Sequence, residues 1–177
     1  MKKIIILIII LIVDIFLIGY FTHKLITLND YTNSIYVVTS SNGHTMFYEL
    51  NNYGRKREVP RFEYNYDDIY YLKGCFDSYL EETCRVTDIN DNDIEYDETI
   101  SKIIKKISLL EHNILTTKII KEKDNYYVIT ELNVNWHSPY NLYKYENNNL
   151  IKIYTFENED VIAIKEDLWK EYSYIIV

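Results

Sequence analysis

The sequence has few cysteines and glycines, the residues on which many zinc, redox and phosphate sites depend. Among 177 residues there are two cysteines, four glycines and two prolines, and glutamine is absent. Two cysteines are too few for a disulfide-dense scaffold or a four-thiolate zinc site. The glycines form neither a phosphate-binding loop nor a dinucleotide fingerprint, and no G-x-S-x-G or H-E-x-x-H segment occurs. The sequence therefore predicts no cofactor and no metal centre, and it favours a non-enzymatic protein.

The remaining composition indicates β structure. Alanine occurs once, at Ala163, whereas tyrosine occurs 19 times. Alanine and glutamine are strong helix formers, while tyrosine, isoleucine and valine suit strands. A coding bias toward Ile, Asn, Lys and Tyr would produce the same composition, so the strand prediction also needs support from the residue pattern.

The charge balance argues against nucleic acid as a partner. Acidic side chains outnumber basic ones by 27 to 19, which gives a formal net charge of −8. Without Lys2, Lys3, Lys24 and Asp14, the rest of the chain has 26 acids against 16 bases and a net charge of −10. A protein that binds nucleic acid needs a basic face to neutralise phosphates. We therefore expect no nucleic-acid partner.

An apolar run near the N-terminus predicts a membrane-inserting helix. The run extends over 18 residues from Ile4 to Phe21, follows Lys2 and Lys3, and is interrupted by Asp14. As a helix it would reach about 27 Å, close to the ~30 Å hydrocarbon core. Its 15 Ile, Leu, Val and Phe residues favour insertion by about 4.5–9 kcal/mol, which outweighs the roughly 2.5–3.5 kcal/mol cost of a central Asp.

An uncleaved signal anchor is favoured over a cleaved signal peptide. Cleavage needs small residues at the −3 and −1 positions, and residues 19–24 contain no such pair. The positive-inside rule places Lys2 and Lys3 in the cytoplasm, although Lys24 partly opposes that orientation. We predict a single-pass cell-membrane protein whose C-terminal domain lies outside the cytoplasm. Secretion after signal-peptide cleavage is the alternative.

The chain is predicted to have three parts. They are the cytoplasmic lysines with the signal anchor at 1–24, a spacer at 25–34, and an extracytoplasmic, acidic, tyrosine-rich domain at 35–177. Apolar segments in that domain predict strands at 35–39, 45–50, 61–66, 69–72, 126–132, 142–145, 150–156 and 161–164. Asn42-Gly43 is a hairpin signal between the first two strands. The last three strands predict a C-terminal β-meander.

One amphipathic helix is predicted in the middle of the domain. The apolar positions that share its face are Ile100, Ile103, Ile104, Ile107 and Leu110. Their spacing of three and four residues is typical of a helix, and Asp97 is placed to cap its N-terminus. Residues 113–120 and 168–177 fit either a helix or a strand. The predicted fold class is α+β, an N-terminal transmembrane helix followed by a mainly antiparallel β domain.

Cys75 and Cys84 are candidates for a disulfide. A separation of nine residues would place them on opposite faces of one helix, so a bond between them implies a turn or hairpin. In an oxidising compartment a disulfide is the expected state of such a pair. Two free thiols are the alternative, and a redox-active pair would more often be C-x-x-C.

The segment 88–98 is the densest group of oxygen ligands and suggests calcium as an alternative. Asp88, Asp91, Asp93 and Glu95 would supply the carboxylates. A helix-loop-helix calcium loop that starts at Asp88 would need glycine at its sixth position and glutamate at its twelfth. Asp93 and Thr99 stand there instead. A solvated acidic turn that leads into the amphipathic helix is therefore favoured over calcium binding.

An aromatic cluster near residue 140 is the candidate for a ligand site. Its members are Trp136, His137, Tyr140, Tyr143 and Tyr145. Exposed Tyr and Trp side chains are favoured at interfaces, so a glycan or peptide could stack there. The alternative is that the tyrosines line the sheet core and direct their hydroxyls to solvent.

Asp14 is a candidate contact for a second membrane helix. An ionisable residue inside a membrane segment is a functional candidate, and a basic residue of a partner helix would neutralise it. Protonation or a local water defect is the alternative.

The function predicted from these features is that of a membrane-anchored protein with an extracytoplasmic binding domain. The expected interactions are with the membrane and with a protein partner. One alternative is an extracytoplasmic hydrolase whose site is set by geometry alone, because catalytic groups need no fixed sequence order. Another is an accessory subunit of a membrane complex that pairs through Asp14.

Overall fold

The fold is α+β, with mostly antiparallel sheets. The computed structural model describes residues 2–28, 30–64, 68–76, 84–110, 114–133 and 138–166, and within the first helix it describes the side chains of residues 10–26. The described chain contains two helices and ten strands. Every pairing between these strands is antiparallel.

The strands form two sheets, and the two helices lie outside them. The helices are α1 (Lys2–Leu28) and α2 (Glu98–Leu110). Sheet A has the order β10-β1-β2-β3 and comprises β1 (Ile35–Ser41), β2 (His44–Leu50), β3 (Lys56–Glu58) and β10 (Asp160–Glu166). Sheet B has the order β5-β4-β6-β7-β8-β9 and comprises β4 (Ile69–Lys73), β5 (Arg85–Thr87), β6 (Ile114–Glu122), β7 (Asn125–Leu132), β8 (Pro139–Glu146) and β9 (Asn149–Glu157).

The main hydrophobic core lies between the two sheets. Successive side chains of a strand point to opposite faces, so each strand gives every second residue to this core. Sheet A contributes Val37 and Leu50, and sheet B contributes Tyr127, Leu142 and Phe156, all of them buried. The two sheets therefore form a sandwich.

The predicted C-terminal β-meander is wrong in its last strand. Strands β8 and β9 pair in sheet B, but β10 belongs to sheet A and pairs with β1. The partner of β10 is distant in sequence, so the local pattern of strands and turns does not indicate this pairing.

Helix α2 covers the outer face of sheet B. Its buried residues Ile100, Ile103 and Ile107 pack against Val128 and other residues of that face. The backbone amide of Ile100 donates a hydrogen bond to Asp97 Oδ1 at 2.9 Å. The predicted helix and its cap are both confirmed, because the apolar period and the capping residue act locally.

The segment 59–64 covers the outer face of sheet A. The ring of Phe62 lies 5.9 Å from that of Tyr36 and 5.1 Å from that of Phe47, in edge-to-face contacts. The predicted strand at 61–66 is wrong over residues 61–64, which adopt no strand structure. The alternation of Phe62 and Tyr64 with polar residues is typical of a strand, but the Phe62 ring packs on the outer face of sheet A. Residues 65–66 lie outside the described residues.

Two local predictions concern a turn and an ambiguous segment. Asn42 and Gly43 have φ values of 50° and 80° and connect β1 to β2 as a two-residue hairpin, which confirms the Asn-Gly signal. Residues 114–120 belong to strand β6. The predicted segment 168–177 lies outside the described residues.

Helix α1 extends past the predicted boundary at Lys24 and ends at Leu28. All of its described side chains, from Ile10 to Ile26, are exposed. Within the described ranges, neither helix combines the length and the hydrophobicity that a membrane crossing requires.

Candidate functional site

The sandwich opens into a cleft at the end where β1 begins. The cleft has a volume of about 510 Å³. Sheet A and its adjoining loops line one side, through Asn33, Ile35 and Asn52 among others, and β8 and β9 line the other. A cavity of this size lies within the range typical of small-molecule sites.

The floor of the cleft is apolar and continuous with the core. Leu50 is 1% exposed and belongs to the cluster between the sheets. Ile35 and Ile153 pack against the same cluster. Ile151 lies farther out on β9 and is 49% exposed. A ligand in the cleft could therefore bury an apolar part on this floor.

Two charged side chains of β8 lie above that floor. Leu142 points into the core between the sheets, and Lys144 and Glu146 follow it at the two-residue period of a strand, on the same face. Both line the cleft. Neither forms an ion pair or a hydrogen bond with any described residue. The cleft therefore holds an ammonium and a carboxylate that have no partner among the described residues. Lys152 of β9 also lines the cleft, but it pairs with Tyr143, whose side chain packs in the cluster on the outer face of sheet B. Directly paired residues share a face, so the Lys152 side chain lies on that outer face.

A third charged residue of the cleft, Glu166, is held by its neighbours. The hydroxyl of Tyr127 donates to Glu166 Oε1, and Asn125 Nδ2 donates to Glu166 Oε2 at 3.0 Å. Burial raises the pKa of Tyr127, and the hydrogen bond to Glu166 adds to the effect. Glu166 is thereby fixed where β10 ends.

A folded linker joins α1 to the cleft. Asp30 Oδ1 accepts a hydrogen bond from the Thr32 amide at 2.9 Å, and the Ser34 amide donates to the Tyr31 carbonyl at 3.2 Å. The guanidinium of Arg57 lies 4.1 Å from the centroid of the Tyr31 ring, within the range of a cation–π contact. Part of the predicted spacer is thus attached to the domain.

Glu49 completes this attachment, and we term Tyr31, Ser34, Glu49 and Arg57 the linker clamp. The side chain of Glu49 is 2% exposed and forms a salt bridge with Arg57. It also accepts hydrogen bonds from Ser34 Oγ and, at 2.8 Å, from the Tyr36 hydroxyl. Burial raises the pKa of Tyr36 to about 12, and the Glu49 carboxylate adds to the effect. The buried carboxylate has donors from both the linker and sheet A.

The loop between β2 and β3 brings sheet A against β9 beside the cleft. Asn51 Oδ1 accepts hydrogen bonds from the amides of Tyr53 and Arg55 at 3.0 and 2.9 Å. Gly54 follows with φ of +73°, and a Cβ there would lie 3.2 Å from the carbonyl oxygen of Ile153. Glycine is needed both for the left-handed backbone and for this close approach.

Replacing Gly54 with alanine is expected to lower the free energy of unfolding by about 2 kcal/mol. The left-handed backbone alone costs an L-residue roughly 1–2 kcal/mol, and the Ile153 carbonyl must also move. Urea unfolding followed by circular dichroism measures the loss. Gly43→Ala is the matched control, because Gly43 has φ of +80° but no atom within 4 Å of the added Cβ. Equal losses in both variants would show that the Ile153 contact has no energetic effect.

The opposite end of the sandwich is closed by a polar network. Lys118 Nζ lies 2.6 Å from Asp160 Oδ1, and the lysine side chain is 11% exposed. Burial lowers the pKa of Lys118, while the nearby Asp160 opposes that shift. On neighbouring strands, Thr116 Oγ1 donates to Glu131 Oε2 at 2.8 Å. The Lys118–Asp160 pair joins sheet B to sheet A, whereas the Thr116–Glu131 hydrogen bond lies within sheet B.

The predicted aromatic cluster is divided between the two faces of β8. Tyr140 packs against the core between the sheets. Tyr143 and Tyr145 lie on the other face, within or against the cluster under α2. Trp136 and His137 lie outside the described residues. The described tyrosines therefore do not form a single surface.

The acidic turn is occupied by local contacts. Asp88 Oδ1 accepts hydrogen bonds from two backbone amides of its own turn, at 2.8 and 2.9 Å. Asp91 and Asp93 form ion pairs with basic side chains of β4 and β5, at 2.7 and 2.8 Å. Glu95 is exposed. Among the residues that the structure describes, no three His, Cys, Asp or Glu side chains come together as a metal site would require.

The three remaining candidate residues lie elsewhere in the molecule. Cys75 and Cys84 form a disulfide that bridges the connection between β4 and β5. Asp14 lies within α1, and its side chain is exposed. None of the three contributes to the cleft.

Comparison with known proteins gives no match from which a function could be proposed, so the proposal is based on the cleft. The chain matches no protein-family model, no curated protein and no solved structure.

Sequence reasoning missed the charged residues of the cleft. Lys144 and Glu146 alternate with Tyr143 and Tyr145, so the two-residue period already separates them onto one face. Glu49 shows a similar signal, because it stands among apolar residues of β2. The alternation shows which residues share a face of a strand, but it does not show which sheet packs against that face.

Proposed function

We propose that the protein is a single-pass, membrane-anchored binding protein whose β-sandwich binds a ligand in the cleft between sheets A and B, outside the cytoplasm. The observation that carries the proposal is the position of the cleft. Asn33 and Ser34 line it and belong to the linker that leaves α1. The ligand site therefore adjoins the anchor.

The character of α1 supports the anchor. Its exposed apolar side chains lie on every side of the helix and include Leu11, Phe16, Ile18 and Ile26. A helix that is apolar all round needs an apolar environment. The apolar run of the sequence begins at Ile4, six residues before Ile10, the first described side chain of α1. The anchor is therefore supported by the sequence of the whole run as well as by the exposed side chains of α1.

The construction of the cleft supports a binding role. Lys144 and Glu146 lie above an apolar floor and form no ion pair or hydrogen bond with a described residue. Their charged groups are therefore available to a ligand, and the apolar floor offers surface against which the rest of that ligand can be buried.

The full-length chain is expected to stay in the membrane pellet after alkaline carbonate extraction of expressing cells. Protease added outside intact cells should digest a C-terminal tag. The control is the double variant Leu11→Lys/Phe16→Lys, because each central lysine costs roughly 2.5–3.5 kcal/mol of insertion free energy. Release of the wild-type chain by carbonate would contradict the anchor, and a tag protected in intact cells would contradict the orientation.

A further inference from the structure

The core-facing side of β8 presents two opposite charges to the cleft at a fixed separation. Lys144 and Glu146 are two residues apart on one face of β8, which places their Cα atoms about 7 Å apart. They form no ion pair with each other or with another described residue. A ligand that enters the cleft therefore meets an ammonium and a carboxylate together.

This pair of charges selects for a ligand that carries both signs. A simple anion would be attracted by Lys144 but repelled by Glu146, by Glu166 and by the net −10 of the chain beyond the first 24 residues. A simple cation would leave Lys144 without a counter-charge. A zwitterion satisfies both groups, and the exposed amide of Asn33 adds hydrogen-bonding capacity at the rim.

We propose that the cleft binds a small zwitterion, with its ammonium group at Glu146 and its anionic group at Lys144. This inference rests on the proposed function because it takes the cleft as the ligand site. An apolar part of the ligand would lie on the floor formed by Ile35, Leu50 and Ile153.

Two sources could supply a zwitterion of this kind. One is the headgroup of an ethanolamine phospholipid, and the other is a dissolved molecule with the same two charges. Helix α1 ends at Leu28, and the cleft lining begins at Asn33, five residues later. Such a connection spans at most about 18 Å, so the cleft lies within reach of the headgroups of the membrane that would hold α1.

The first experiment measures binding to the full-length chain in maltoside micelles by titration calorimetry. O-phosphoethanolamine is expected to bind. Lys144→Met and Glu146→Gln should each weaken that binding about tenfold, because each removes a charged hydrogen-bond partner. The matched control is Lys105→Met, which removes an exposed lysine of α2 and should leave the affinity unchanged. Circular dichroism verifies that each variant is folded.

Ligands that carry charge of one sign only test the need for both groups. Ethanolamine and methyl phosphate are each expected to bind at least tenfold more weakly than O-phosphoethanolamine. Equal binding of methyl phosphate would overturn the zwitterion proposal. Absence of binding by O-phosphoethanolamine to the folded chain would overturn it as well.

The second experiment identifies the source, with the full-length chain in lipid nanodiscs. Slower amide hydrogen exchange in residues 139–157 with phosphatidylethanolamine than with phosphatidylglycerol, abolished by Lys144→Met, would assign the ligand to the lipid headgroup. Equal exchange in both lipids, together with micellar binding of O-phosphoethanolamine, would assign it to a dissolved zwitterion. A chain that carbonate does not release but that binds neither probe would overturn the zwitterion proposal and leave the anchor standing.

Discussion

Replacing Phe156 with alanine is expected to lower the free energy of unfolding by about 3–5 kcal/mol. Phe156 is wholly buried in the core between the sheets. Its ring centroid lies 4.7 Å from that of Tyr154 and 6.4 Å from that of Tyr48, which belongs to sheet A. The substitution removes the side chain through which the edge strand β9 packs on the opposite sheet, and a rigid two-sheet core cannot collapse into the cavity.

Thermal unfolding of the full-length chain, followed by near-ultraviolet circular dichroism of its many tyrosines, measures this loss. The midpoint should fall by roughly 6–20 °C. Ile151→Ala is the matched control on the same strand, because that side chain is 49% exposed and should cost less than about 1 kcal/mol. Similar shifts in the two variants would contradict the assignment of Phe156 to a shared core.

Replacing Glu49 with alanine is expected to lower the free energy of unfolding by about 3 kcal/mol. The substitution removes the Glu49 carboxylate to which the buried Tyr36 hydroxyl donates, and it removes a charge-assisted hydrogen bond from Ser34. The Arg57 side chain is 53% exposed, so it can turn toward water and adds little to the cost. Most of the effect therefore comes from Tyr36 and from the linker.

Hydrogen exchange separates the effect on the linker from the global loss of stability. Amides of residues 30–34 should exchange faster in Glu49→Ala than in Tyr36→Phe, which removes one donor and keeps the carboxylate for Ser34 and Arg57. Tyr36→Phe should cost about 1 kcal/mol. Unchanged exchange at residues 30–34 in Glu49→Ala would show that Glu49 does not hold the linker.

The parts of the fold that depend on neighbours in sequence were predictable. Helix α2 follows from isoleucines at helical spacing and from the cap at Asp97, and the hairpin follows from Asn42-Gly43. The mainly antiparallel α+β class follows from short apolar segments separated by polar turns. Each of these features is decided within a few residues, where propensity and hydrogen bonding act directly.

The parts that depend on distant pairing were not predictable. Strand β1 pairs with β10, so that Ile35 lies opposite Glu166, and no local pattern indicates this neighbour. Phe62 has the alternation of a strand residue but covers sheet A from a segment without strand structure. The cleft exists because two sheets separate at one end, and a pattern that assigns faces within one strand does not show what the opposing sheet contributes.

The linker clamp has a consequence for how often the cleft meets a ligand. With α1 in a membrane, only residues 29 and 30 separate the helix from the contacts of Tyr31 and Ser34. A flexible spacer of greater length would let the domain sample a larger volume and would dilute it relative to the bilayer surface. If α1 lies in a membrane, as proposed, the clamp would confine the cleft to a thin layer above that surface. Encounters of the cleft with membrane-borne molecules would then be governed by lateral diffusion and a high local concentration, as in other tethered interactions.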